Sequence, residues 1–214
     1  MSNQQIKILL FDLGGVIINL YPERTFKAFA ELAGIDEWDV MEAYKEAEFF
    51  KLHEQGIMNN EHFRDKLRKA LNVITDDESI DKAWNAMLGD IPEDRIEDIK
   101  QLKKKFRCVV LSNTNSIHEN CFHKILSESH SFTHLNELFN EVFFSHELSD
   151  RKPEPSIYQK VQEACGVELN EILFLDDSKE NIAAAKSVGM HVLHIPRNEG
   201  FSDLLNRKLE EINS

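Results

Sequence analysis

Asp12 closes an apolar run, Ile6-Lys7-Ile8-Leu9-Leu10-Phe11, and Leu13-Gly14-Gly15-Val16 follows it directly. A carboxylate at the end of a buried strand is costly unless it is paired or used, and glycines let the backbone approach a ligand closely. Three more apolar runs end in polar clusters. Residues 108–111 lead into Ser112-Asn113-Thr114-Asn115, Phe143-Phe144 precedes a loop with Arg151-Lys152-Pro153, and residues 172–175 lead into Asp176-Asp177-Ser178. Asp12, Asp176 and Asp177 offer hard oxygens suited to Mg²⁺, which takes one or two carboxylates plus water and substrate phosphate. Ser112 and the amides beside it can hold phosphoryl oxygens, and Asn113 can orient a substrate. Lys152 can balance the charge shared by Asp12 and a transferring phosphate. An aspartate so placed can attack phosphorus, forming an aspartyl-phosphate that water then cleaves.

These residues converge only if the runs are neighbouring strands. Five strand-like runs are read at 6–11, 108–111, 141–144, 172–175 and 191–195, most of them continuously apolar, as in a parallel sheet covered on both faces. Helical patterns separate them. Pro92 opens one with Ile96, Ile99 and Leu102; Pro155 opens another, closed by Gly166; Ser178 caps a third, closed by Gly189; and a last one starts at Ser202. The alternation predicts an α/β, doubly wound, mainly parallel sheet, with ligands at the carboxyl ends of its strands.

Residues 19–88 break the alternation. Helical spacing is read over 22–33, 36–50, 59–71 and 77–88, which predicts a four-helix bundle inserted as a lid. The division expected is a core of 1–18 and 89–214 with a cap of 19–88. The turn Leu52-His53-Glu54-Gln55-Gly56-Ile57-Met58 is placed over the cleft, with His53 and Glu54 as candidate substrate contacts.

The set Asp12-Leu13-Gly14-Gly15-Val16, Leu111-Ser112-Asn113, Lys152-Pro153 and Asp176-Asp177 resembles, in order, the four motifs of the haloacid dehalogenase-like (HAD) hydrolase superfamily. The resemblance covers the whole chain, because the helical insert looks like that family's C1 cap. It is closest to a subgroup with sugar-phosphate phosphatases, among them bacterial α-D-glucose-1-phosphate phosphatase. It implies a Rossmann-like core, a Mg²⁺ cofactor and an aspartyl-phosphate intermediate. Asp12 would be nucleophile and metal ligand, the Gly14 carbonyl a further ligand, and Asp177, with or without Asp176, the remaining one. Gly14 departs from the pattern, since family phosphatases usually carry there the aspartate that protonates the leaving group. Losing a general acid typically costs about 10²–10⁴-fold in rate. Three readings follow. In an active phosphatase another group, such as His53 or Glu54, takes over, or a good leaving group makes the acid dispensable. A 2-haloacid dehalogenase needs no such acid, but Asp176-Asp177 argues against it. The third is a binding or regulatory protein that has lost catalysis.

Composition sets the outer bounds. With 214 residues, 42% hydrophobic and 29% charged, the chain can bury a full core. A net charge of -13 disfavours nucleic acid and anionic membrane partners, and repels phosphorylated metabolites unless a cation reverses the field locally. The polar start and the lack of a membrane-length apolar run predict a cytoplasmic protein. No heptad or apolar patch demands association, so a monomer is expected. Cys108, Cys121 and Cys165 read as buried thiols rather than a disulfide framework. His118, His123, His130 and His134 read as a surface loop or helix end, Trp38 and Trp84 as bundle packing, and Asn181 as a hydrogen-bond partner of the Asp176 loop.

Overall fold

The computed structural model describes residues 6–214. Strands β1 (Ile8–Phe11), β2 (Arg107–Ser112), β3 (Glu141–Phe144), β4 (Ile172–Asp176) and β5 (His191–His194) form one parallel sheet in the order β3-β2-β1-β4-β5. The chain fills one side of β1 and then crosses to the other, so the topological switch lies beside β1. In register, Phe11 stands opposite Val110 and Leu175, which brings Asp12, Ser112 and Asp176 to one edge.

Side chains alternate between the two faces of each strand. Leu9, Phe11, Val110 and Leu175 face one layer, with Ile96, Ile99, Phe122 and Leu205 among its buried residues. That layer holds α6 (Glu93–Leu102), α7 (Ser116–Ser129), α8 (Leu135–Leu138) and α12 (Ser202–Asn213). Ile8, Leu10, Val109 and Phe174 face the other, which holds α10 (Pro155–Cys165) and α11 (Lys179–Ser187); the one-turn α9 (Ser145–Leu148) follows β3. The doubly wound α/β fold expected from the sequence is present.

Between β1 and α6 lie α1 (Pro22–Ala33), α2 (Glu37–Glu46), α3 (Phe49–Glu54), α4 (Asn60–Leu71) and α5 (Asp77–Asn85). They share an apolar core of their own built on Phe29, Phe50, Phe63, Ile80 and Trp84. The expected bundle of four helices is thus five, because the helix read over 36–50 breaks at Ala47, whose backbone is extended. In an unbroken helix Phe49 would point about 180° away from Val40. The break turns both phenylalanines inward, with Phe50 at 4.3 Å from Tyr44 and Phe49 at 5.9 Å from Phe63, centroid to centroid. Trp84 is buried in this core as expected, but Trp38 is 62% exposed and does not pack it. The connections to the sheet run side by side: Leu20 bridges Leu88 antiparallel, and Asn19 N–H donates to the Asp90 carbonyl at 2.9 Å.

In the histidine-rich stretch His130 and His134 stand at helix ends as expected, and the correction is His118, which is buried inside α7. Asn115 caps α7, its side chain accepting from the Ile117 and His118 amides at 3.1 and 3.0 Å. His130 bonds the Ile91 carbonyl at 2.8 Å and lies 2.8 Å from Glu93. The low amphipathicity of α7 has a simple cause: its flanks touch both the sheet layer and the five-helix core, so Phe122 and Leu126 serve one while Ile117 serves the other. All three cysteines are free thiols. No helix among the described residues is long and apolar enough to cross a membrane.

Candidate active site

The strand ends open into a cavity of about 340 Å³ between the sheet edge and the five-helix bundle. Lys152 is its electrostatic centre. Its side chain is 1% exposed, and Nζ donates to Asp12 Oδ1 at 2.7 Å, Asp176 Oδ2 at 2.8 Å and the Leu111 carbonyl at 2.9 Å. Burial opposes its charge, but the two carboxylates outweigh burial and raise its pKa. Its backbone is held by Asn113, which accepts from Lys152 N–H and donates to its carbonyl, both at 2.9 Å. Asn113 thus positions the lysine while also lining the cavity, the place expected of it.

Asp12 is buried at the end of β1, and its amide donates to the Leu175 carbonyl at 2.8 Å. Burial raises its carboxyl pKa, opposed by Lys152 and reinforced by Asp176 and Asp177. Oδ1 takes the lysine; Oδ2 has no protein hydrogen bond among the described residues. Asp176 is the opposite case. Besides Lys152 it accepts from Ser178 N–H at 2.7 Å and from Asn181 Nδ2 at 3.1 and 3.0 Å, so both oxygens are in use. Asn181 does bond the Asp176 loop, as the sequence suggested. Asp177 reaches the cavity, and its Oδ2 accepts from Arg197 Nε at 2.5 Å.

Asp12, Asp176 and Asp177 each bring one oxygen within 4.8 Å of the others. An all-carboxylate donor set fits a hard divalent cation. The free Oδ2 of Asp12 and the Gly14 carbonyl, which takes no backbone hydrogen bond among the described residues, widen that set. Gly15 is required beside it: its φ is +80°, and a Cβ there would stand 2.8 Å from Asp177 Oδ2. Ser112 is buried and lines the cavity, and the neighbouring Thr114 amide already donates to Ser145 Oγ at 2.9 Å.

The two bundle candidates separate. Glu54 lines the cavity, and its Oε2 accepts from Arg151 Nε at 3.1 Å and Nη2 at 3.0 Å. Burial, ahead of the opposing arginine, raises its carboxyl pKa. His53 does not line the cavity, which corrects its placement as a substrate contact. It is 2% exposed, stacks on Phe63 at 3.8 Å and bonds Asn60 Oδ1 at 2.9 Å inside the bundle. The reason is helical: residues 52–54 form the last turn of α3 rather than a loop, and adjacent positions on that turn face different ways.

Three further residues at or beside the cavity were not among the site residues expected from the sequence. His118 stacks on Trp84 at 4.6 Å and bonds its carbonyl at 3.2 Å, joining α7 to α5. Arg197 and Asn198 follow β5. Asn198 accepts from Leu20 N–H at 2.7 Å, donates to its carbonyl at 3.1 Å and gives its own amide to Gly15 at 2.8 Å. This pair stands just beyond the carboxyl end of β5, the same kind of position as the polar clusters after the other four strands. His118 carried no such signal.

Residues 6–189 match the family described as haloacid dehalogenase-like hydrolase. The chain belongs to that family. Among curated HAD relatives it is 27% identical over 186 residues to a D-ribitol-5-phosphate phosphatase of Bacteroides thetaiotaomicron, covering 86% of this chain and 89% of the relative. Among solved structures it is similar to a HAD enzyme of Bacteroides thetaiotaomicron in complex with magnesium and inorganic phosphate. The TM-score is 0.82 at 32% identity, over 93% of this chain and 98% of that one. A HAD-like hydrolase from Porphyromonas gingivalis superposes with a TM-score of 0.86 at 26% identity, over 96% and 98% of the two chains. The chain is thus a HAD hydrolase over essentially its full length.

Proposed function

We propose that this hydrolase is a Mg²⁺-dependent phosphatase of small phosphomonoesters, sugar or polyol phosphates foremost. One observation carries the reading: Asp12 lines the cavity with one carboxylate oxygen pinned by Lys152 and the other without a protein hydrogen bond among the described residues. Asp12, the Gly14 carbonyl and Asp177 are the residues to hold the cation, with Asp176 supporting them through Lys152 and Asn181. Bound there, Mg²⁺ would offset the carboxylate cluster and polarise the phosphoryl group.

The free Oδ2 of Asp12 attacks phosphorus, the P–O bond to the alcohol breaks, and the departing alkoxide takes its proton from solvent water, since Gly14 offers no acid. Water then attacks the aspartyl-phosphate, releasing inorganic phosphate and the carboxylate. Lys152 keeps Asp12 aligned and shares the charge of the phosphoryl oxygens, and Ser112 binds one of them. Residues 19–88 act as a cap over residues 1–18 and 89–214, excluding bulk water when closed. The relative active on ribitol phosphate and the neighbour holding magnesium and phosphate support the substrate class and the cation.

A screen of phosphorylated metabolites and an aryl phosphate, with and without chelator, tests the reading, with Asp12→Asn as the blank. Turnover should need Mg²⁺ and vanish in Asp12→Asn. Wild-type turnover in that variant, or chloride release from 2-haloacids under chelation, sinks it.

A further inference from the structure

The bundle side of the cavity is chemically uneven. Phe26, Trp84, Met87 and Leu88 make it apolar, and Tyr44 and Glu54 are its two polar side chains. We propose that Tyr44 and Glu54 form a hydroxyl-reading wall that selects phosphomonoesters with an uncharged, polyhydroxylated tail. The assignment rests on the phosphatase reading and specifies the half of the substrate that does not react.

The two groups are complementary. Both Arg151 contacts go to Glu54 Oε2, which leaves Oε1 with no protein partner among the described residues. The Tyr44 phenol likewise has no protein hydrogen bond among the described residues, and neither oxygen is among the sealed, unpartnered polar atoms. Burial, then the Glu54 carboxylate, push the phenol up to about 12, so it stays a donor throughout the working range of pH. A carboxylate accepts and a phenol donates; a hydroxyl does both, so a polyhydroxylated tail in this cavity can meet each of the two groups. The apolar neighbours suit the C–H faces of a carbon chain.

The wall is also rigid. Ser145 Oγ donates to the Glu54 carbonyl at 2.5 Å, and Gly56 packs so closely on α9 that a Cβ would come within 2.1 Å of the His146 carbonyl oxygen. Backbone and side chain of Glu54 are thus each fixed by the core, through Ser145 and Arg151. A tail with a second phosphate or a carboxylate would meet Glu54. The one cation lining the cavity among the described residues, Lys152, is already shared by Asp12 and Asp176.

The test is the ratio of kcat/KM for ribitol phosphate to that for n-pentyl phosphate, in wild type, Glu54→Gln and Tyr44→Phe, with Mg²⁺ present. Glu54→Gln is isosteric and keeps an oxygen for Arg151. Losing a charge-assisted hydrogen bond should lower the ratio about ten- to a hundredfold, mainly through KM, and Tyr44→Phe should lower it about fivefold. A phosphomonoester with a carboxylate tail should gain relative to ribitol phosphate in Glu54→Gln. Equal losses for both test substrates, leaving the ratio unchanged, overturn the proposal; loss in kcat for both with an aryl phosphate spared would make Glu54 the leaving-group acid instead. A wild-type protein that hydrolyses no phosphomonoester, aryl phosphate included, removes the phosphatase reading and this assignment with it.

Discussion

Lys152→Met isolates the physics of the site from its chemistry. Methionine preserves the apolar stem and removes an ammonium that makes three contacts of 2.7–2.9 Å in a side chain only 1% exposed. Asp12 and Asp176 then remain buried together without their shared cation. Removing one partner of a buried ion pair costs about 3–5 kcal/mol. Asp176 keeps Ser178 N–H and Asn181, so the penalty concentrates on Asp12. For a chain of this length about 2–4 °C of Tm accompanies each kcal/mol, so the variant should melt about 6–20 °C below wild type in chelator. Circular dichroism melts measure it. Mg²⁺ should raise the Tm of the variant more than that of wild type, because a cation restores the missing charge. Lys152→Met combined with Asp176→Asn should recover part of the loss by removing one stranded carboxylate. A Lys152→Met melt within about 2 °C of wild type in chelator refutes the premise that this ammonium compensates two buried charges.

Other perturbations probe different links. Gly14→Asp places a Cβ 3.3 Å from the mobile end of Leu20, a contact that side chain can relieve. If a missing acid limits the rate, kcat for alkyl phosphates should rise by up to ~10²-fold while an aryl phosphate changes little; parallel changes in both argue against it. Gly56→Ala forces a Cβ onto the His146 carbonyl at a residue with φ of +68°, and should raise hydrogen exchange over residues 49–58 while the strands stay protected. Unchanged exchange there would show that the docking turn tolerates a shift. Burial lowers His118 from 6.5 to about 4, so the unfolded chain binds its proton first as the pH falls. His118 should therefore cost stability from about pH 6.5 down to about 4, approaching ~3 kcal/mol, and His118→Gln should flatten that part of the stability–pH curve in denaturant titrations.

The edge of the sheet was legible in the sequence for a local reason. Short apolar runs specify buried strands, a parallel order follows from alternation with helices, and ligand chemistry must then gather where the strands end. Asp12, Ser112, Lys152, Asp176 and Asp177 were found by that rule, and they do line or adjoin one cavity. The helix break at Ala47, the inward turn of His53, the exposure of Trp38 and the capture of Asn113 by the Lys152 backbone were not. Each depends on which distant segment a side chain meets. Glu54 finds Arg151 across 97 positions and Leu20 finds Asn198 across 178, and periodicity encodes neither meeting. Which groups stand at the ends of the strands follows from local patterning, because apolar burial acts over a few neighbouring residues. Which polar atoms are spent on one another and which remain open toward a ligand is a property of the folded chain, because hydrogen bonds saturate and a donor committed to the fold is lost to the site.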